Sequence, residues 1–272
     1  MSTTLETQYA FHGAVEVHDQ LDALETMLDP GTAECLRTLG IPAGARCWEV
    51  GAGGGSIARH LRALAGPGGH VVATDLDTSR IVAPGAEILQ HDVRCDPAPP
   101  GGPFDVIHAR WVLMHLPERR DVLSRLADAL APGGWLVIEE SAVTSDGLPV
   151  LTSSVPADAE LFGRFSGAVV GILADAGADP QWGAHGLHSA MAESSLEDVR
   201  TVHRTDSWTG GGPGSRLHSI HTRQLREPLG ARGFTDGDLA RVRHIASDPA
   251  FSALGYPLVS TCGRRAQRTA QR

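Results

Sequence analysis

The chain has 272 residues, 23 basic against 32 acidic, a formal net charge of −9 and 42% hydrophobic residues. That balance argues against a nucleic-acid surface, which needs a basic patch, and without a run of 18 apolar residues no membrane span is expected. The sequence contains no lysine and no asparagine, so Schiff-base chemistry and a Tyr-x-x-x-Lys pair are both excluded.

The predicted elements, in chain order, begin with a helical segment over residues 1–40. Leu21, Leu24, Met27 and Leu28 share one helical face. Asp29-Pro30-Gly31 is expected to break that helix, with Ala33 to Leu39 starting another. Cys47, Trp48 and Val50 then read as the end of a buried strand, and Ile57, Ala58, Leu61 and Leu64 follow at helical spacing. Between them lie Glu49 and glycines at alternate positions, Gly51, Gly53 and Gly55. Glycine permits φ > 0 and lets a ligand approach the backbone, so strand, glycine turn and helix N-terminus form a nucleotide-type binding device. A dinucleotide fingerprint would place the third glycine one residue later, and the P-loop needs a lysine.

Val71 to Asp75 predicts a second strand ending in a carboxylate able to accept from two ribose hydroxyls, while Asp77 points into the following turn. A parallel crossover needs about ten residues or more. The short chain before Glu87 therefore predicts only a turn around Ser79–Val82. Ile88 to Val93 predicts a third strand with Asp92 just past its end. Phe104 to Arg110 predicts the fourth, followed by Trp111 to Leu116. A helix over about Glu118–Leu130 leads through Ala131-Pro132-Gly133-Gly134 to a fifth strand, Trp135 to Glu139. A helix is then predicted over Glu160–Leu173, a loop at 174–180, and another helix over Gly186–Met191. Val199 to Trp208 alternates as a sixth strand. Gly210 to Gly214 reads as a flexible joint, helices follow at about 216–230 and 236–247, and Tyr256 to Cys262 is the last strand. The tail over 264–272 is expected to be disordered.

The acid-x-Gly-x-Gly-x-Gly order of Glu49, Gly51, Gly53 and Gly55 resembles motif I of class I S-adenosylmethionine (SAM)-dependent methyltransferases. Leu-Ala-Pro-Gly-Gly before the fifth strand resembles the UbiE-like branch. The resemblance covers residues 45–140 and implies an α/β, Rossmann-like seven-stranded sheet with helices on both faces, in strand order 3-2-1-4-5-7-6. It divides the chain into an N-terminal helical cap (1–40), a SAM-binding half (41–140), a substrate lid (141–198), and C-terminal strands and helices completing the sheet (199–263). SAM is the implied cofactor. The implied binding residues are Gly51 and Gly53, Asp75 at the ribose, Asp92 and Val93 at the adenine, and Ala109 or Arg110 near the methionine end. Glu49 orients the loop or meets the methionine ammonium indirectly. Tyr9 and Phe11 close over the cofactor or simply pack within the cap.

Where amino-group methyltransferases carry Asn/Asp-Pro-Pro-Tyr, this chain has His108-Ala109-Arg110-Trp111. That points to O- or C-methylation of a small molecule. An alcohol acceptor needs a base, and His115, just past the fourth strand, is the candidate among 13 histidines. His185, His188, His203, His218 and His221 read instead as exposed or internally satisfied. Glu139 and Glu140 either polarise an acceptor hydroxyl or form a solvated strand end. No metal-ligand spacing is present and no metal site is assigned; metal dependence is neither required nor excluded. Cys35, Cys47, Cys95 and Cys262 are scattered without a C-x-x-C, which suits reduced thiols in the cytoplasm. The first residues lack the pattern of a signal peptide. The apolar lid face serves equally well as a homodimer interface. Arginine in place of lysine and a high Ala/Gly content point to a high-GC genome. The chain is also similar to O-methyltransferases that tailor polyketide or macrolactam antibiotics of the rifamycin type. C-methylation, a SAM-dependent rearrangement, a nicotinamide oxidoreductase and a non-catalytic binding module stand as alternatives.

Overall fold

The computed structural model describes residues 17–267, so the expectations for Tyr9 and Phe11 lie outside the described residues. The elements in order are α1 (Val17–Arg37), β1 (Arg46–Val50), α2 (Ser56–Ala65), β2 (His70–Asp75), β3 (Glu87–Gln90), β4 (Phe104–Arg110) and α3 (Arg119–Asp128). Then come β5 (Leu130–Ser141), β6 (Val150–Thr152), α4 (Pro156–Asp175), α5 (Trp182–His185), α6 (Leu187–Ala192), β7 (Leu196–Arg204) and β8 (Ser207–Thr209). The chain ends with α7 (Pro213–Gln224), α8 (Arg226–Ala231), α9 (Asp236–Ile245), β9 (Ser252–Leu254) and β10 (Leu258–Arg265). Short 3-10 turns lie at Thr78–Arg80 and Leu113–His115.

Seven strands form one sheet in the order β3-β2-β1-β4-β5-β10-β7. The first five run parallel, and β10 runs antiparallel to both neighbours. With β7 as sixth strand and β10 as seventh, this is the expected 3-2-1-4-5-7-6 order. One face of the sheet packs Trp48, Ile107, Leu136 and Ile138 against α3, α5 and α6. The other packs Cys47, Val71, Ala73 and Val137 against α2 and the end of α1. Strands buried on both faces read as continuous apolar runs, which is why β1, β2 and β4 stand out in the sequence.

A second core joins α4, α7 and α9 around Phe162, Phe165, Trp208 and Phe251. A three-stranded sheet, β6-β9-β8, lies beside it.

Four expectations are corrected. The helix does not break at Pro30: α1 runs through it. An interior proline costs about 3 kcal/mol, but here the turn is tied down by tertiary bonds from Asp29 to Arg110 and Ser56. Val199–Trp208 is not one strand. The chain turns at Asp206, whose carbonyl accepts from Gly255 N–H, and Trp208 moves into the small sheet. Gly210–Gly214 is not a loose joint either. A Cβ on Gly210 would fall 2.0 Å from the Asp248 carbonyl oxygen, and Pro213 already opens α7. Lastly, the tail is ordered through Arg265, whose guanidinium donates to Asp128 O at 2.6 Å; residues 268–272 lie outside the described residues. The short crossover after β2 does contain only the single turn expected, held against the glycine turn by Val82 N–H to Gly54 O at 3.0 Å.

Candidate active site

The glycine turn connects β1 to α2. Gly51, Gly53 and Gly55 all take positive φ, at 66°, 55° and 88°. At Gly51 a side chain is also excluded by space, since its Cβ would stand 2.3 Å from Val112 Cγ2. Gly53 N–H donates to Asp75 Oδ2 at 2.9 Å, so the turn itself orients the carboxylate at the end of β2. Asp77 caps the next turn by accepting from Ser79 N–H at 3.0 Å, as its position predicts. Helix α1 closes over this arrangement: a Cβ on Gly54 would touch Glu25 Oε1 at 2.2 Å.

One cavity of ≈ 350 Å³ runs along the carboxyl ends of the parallel strands, where ligands of such sheets bind. Its lining includes Glu49, Gly51, Gly53, Asp75, Asp92, Val93, Arg110 and His115. Ala109 is the expected site residue that it lacks. Strand alternation points Ala109 into the core beside Ile107, while Arg110 reaches the site. Arg110 is fixed by Asp29 Oδ1 and Thr32 Oγ1 of α1, each at 2.9 Å. Asp92 lines the cavity with its carboxylate gripped by Arg94, at 2.7 Å from Nη2, which holds its pKa below the usual carboxylate value.

His115 sits on the turn after β4. Burial, helped by the Arg119 charge, lowers its imidazole to about 4, so it is neutral at pH 7. Glu140 builds that turn: Oε1 accepts from Leu113 N–H at 2.9 Å and Met114 N–H at 3.2 Å. Arg119 Nε donates to Leu116 O at 2.7 Å, and its Nη1 meets Asp179 at 2.8 Å.

Neither reading of Glu139 and Glu140 survives. Both are fully buried and neither lines the cavity. Burial pushes the Glu140 carboxyl up to about 8. Glu139 belongs to a polar row across β1, β4, β5 and β10. His108 Nδ1 meets Glu49 Oε2 at 2.7 Å and Nε2 meets Glu139 Oε2 at 3.2 Å; Thr32 and Ser260 donate to Glu139 as well. Burial alone would lower His108, but Glu49 and Glu139 win and lift it to about 9. Burial raises Glu49; at Glu139 burial is opposed by His108, Arg110 and Ser260, which together outweigh it and lower the carboxyl. The available sequence signal for this row was Glu49 and His108, which interrupt the apolar runs of β1 and β4 and pair directly across them; Glu139 gave none, since it stands opposite Arg110 and beside Glu140 at the strand end.

The other histidines divide. His185 pairs with Asp179 at 3.2 Å, His188 with Thr201 at 2.8 Å, and His203 is exposed. His218 and His221 are instead buried, and His221 lines the cavity. Trp111, Ser141 and Tyr256 line it too. Sequence reasoning missed them because nothing about an isolated aromatic or serine marks it as a cavity wall.

The charged lining of the cavity consists of Glu25, Glu49, Asp75, Asp77 and Asp92 with Arg80 and Arg110. Acids in excess suit a cationic ligand, and one arginine can meet a carboxylate. The residues therefore fit SAM, with its sulfonium, ammonium and carboxylate.

A family described as a methyltransferase domain matches residues 24–236, and the chain belongs to it; SAM is the methyl donor. Methyltransferase str2 of Strobilurus tenacellus is 40% identical over 95 residues, 34% of this chain and 34% of that protein. The 27-O-demethylrifamycin SV methyltransferase of Amycolatopsis mediterranei (strain S699) is 27% identical over 161 residues, 59% of this chain and 53% of that protein. The matched stretches thus span between about a third and about a half of these relatives. A solved structure of Haemonchus contortus phosphoethanolamine N-methyltransferase 2, in complex with phosphomonomethylethanolamine and S-adenosylhomocysteine, aligns with a TM-score of 0.55. The identity is 13%, over 94% of this chain and 59% of that one, a likeness of fold alone.

Proposed function

We propose that this chain transfers the methyl group of SAM to a hydroxyl oxygen on a bulky small molecule of the polyketide or macrolactam kind. The observation that carries this reading is the single cavity joining the glycine turn, Asp75 and Asp92 to His115 and an apolar wall. Similarity to the 27-O-demethylrifamycin SV methyltransferase supports the acceptor class.

When bound, SAM supplies an electrophilic methyl carried on a sulfonium. Asp75, oriented by Gly53 N–H, would hold the ribose, and Asp92 with Val93 would hold the adenine edge. Arg110, braced by α1, would meet the methionine carboxylate. An imidazole nitrogen of His115, which lines the cavity, would take the acceptor's hydroxyl proton as that oxygen accepts the methyl that SAM would supply, the donor leaving as the neutral thioether. Alignment supplies most of the rate, and neutral His115 has the protonation state a base requires.

The test is calorimetric titration of the protein with SAM, S-adenosylhomocysteine and NADH, beside Asp75→Ala. Binding of the first two, weakened at least about ten-fold in the variant for loss of a charged hydrogen-bond partner, supports the reading. Tighter binding of NADH than of SAM sinks it.

A further inference from the structure

At the acceptor end of the cavity, three hydrogen-bond donors have nothing to bond. Trp111 Nε1, Ser141 Oγ and Tyr256 Oη are each sealed from water and make no hydrogen bond, and all three residues line the cavity. Ser141 is 3% exposed and Tyr256 8%. Buried polar atoms nearly always find a partner, and leaving one orphaned costs stability. Three on residues that line one cavity set donors beside the space a ligand would occupy. Trp111 adds a second sign, since its φ of 53° is a left-handed conformation that a bulky residue rarely keeps. Its ring meets Tyr256 edge-on, 6.0 Å between centroids.

Every charged residue that lines the cavity is already engaged within the protein: Glu25 with Arg59, Glu49 with His108, Asp75 with Gly53 N–H, Asp77 with Arg80, Asp92 with Arg94, and Arg110 with Asp29. The nearby Arg119 is committed to Asp179 and the Leu116 carbonyl. His115, at about 4, and His221, at about 3, are both uncharged at neutral pH. An anionic acceptor would lose its water here and gain no counter-charge.

We propose that the acceptor is an uncharged, oxygen-rich aromatic or polyketide-like molecule whose carbonyl, ether or hydroxyl oxygens accept from Trp111, Ser141 and Tyr256, and that carboxylate- and phosphate-bearing acceptors are refused. This assignment rests on the methyl-transfer reading of the site. Trp111, Met114 and Tyr256 supply the flat apolar wall such a molecule packs on.

A matched pair of probes tests it. Methyl gallate is neutral, and gallate is the same ring with a carboxylate. Each is titrated calorimetrically into the protein saturated with S-adenosylhomocysteine, for the wild type, Tyr256→Phe and Ser141→Ala, and melting temperatures are recorded alongside. The wild type is expected to bind methyl gallate at least about ten-fold more tightly than gallate, as expected for an anion buried without a partner. Each variant is expected to lose roughly three- to ten-fold in methyl gallate affinity, keep its S-adenosylhomocysteine affinity, and melt no lower than the wild type, because the hydroxyl removed had no partner. Variants that bind methyl gallate like the wild type overturn the proposal. So do equal binding of gallate, no binding of methyl gallate by a protein that binds S-adenosylhomocysteine, or a lowered melting temperature, which would mean the hydroxyl is bonded within the fold. Failure of the wild type to bind S-adenosylhomocysteine is a different result and overturns the methyl-transfer reading beneath it.

Discussion

Inside the second core, His218 is 0% exposed and neither ring nitrogen has a hydrogen-bond partner. It is surrounded by rings: Phe162 at 5.0 Å, Trp208 at 5.3 Å and Tyr256 at 5.5 Å. The site is shaped for an aromatic side chain and gives nothing back to a polar one. His218→Phe is therefore expected to stabilise the fold by about 1 kcal/mol, the desolvation penalty of the orphaned nitrogens less some repacking. Urea unfolding measures it, and a loss of stability would show that the imidazole has a role the packing conceals. Buried His108 is the opposite case, because both of its nitrogens are met by carboxylates.

Helix α1 is held to the sheet by few but directional contacts. Thr32 Oγ1 reaches Glu139 and receives Arg110, so one hydroxyl joins the helix to both the polar row and the arginine of the site. Thr32→Val keeps the shape and removes these bonds. It is expected to cost about 1–3 kcal/mol and to speed amide exchange in α1 while β1 and β4 stay protected. Unchanged exchange would place the anchoring of α1 elsewhere. This helix also shows where the sequence can and cannot be read. Strands β1, β2 and β4 were legible because apolar runs bounded by Gly, Pro and Asp have one reading in a parallel sheet. The glycine turn and Asp75 were legible because local backbone geometry demands glycine there. Continuity of α1 through Pro30 was not, since the bonds from Asp29 to Arg110 and Ser56 come from residues far along the chain. Nor was the small sheet: three-residue strands have no period to detect. Glu139 and Glu140 look like a solvated strand end until β10 and the turn after β4 are seen to cover them.

Across the whole molecule, the buried titratable groups set opposing pH limits. His115, His221 and His218 are lowered from 6.5 by burial, to about 4, about 3 and well below the reference. The unfolded chain takes up protons that the fold refuses, so their contribution is full above pH 6.5 and is lost as pH falls below it. Glu140, raised by burial from 4.5 to about 8, and His108, lifted by its carboxylates from 6.5 to about 9, work the other way. The fold keeps protons that the unfolded chain releases, and that stability is lost as pH rises through about 8 and 9. Stability should therefore peak near neutrality, at about pH 6–7. Glu140→Gln preserves an acceptor for Leu113 and Met114 N–H while removing the titration. Denaturant unfolding at pH 6 and pH 8.5 should show a smaller alkaline loss in this variant than in the wild type. Equal losses would mean Glu140 does not hold its proton through this range.

The closure of α1 over the glycine turn also has a kinetic side. Leu21 and Glu25 of α1 lie against Gly53 and Gly54, and the helix forms one wall of the donor end. On the methyl-transfer reading proposed above, a spent donor leaves past that wall, so the tempo of turnover depends on how readily a helix lets go as well as on how fast a bond is made. The strength with which Thr32 and Asp29 fasten the helix then acts as a clock on turnover. Tighter fastening lengthens each donor's stay and slows the count of cycles per minute, without altering the chemistry inside.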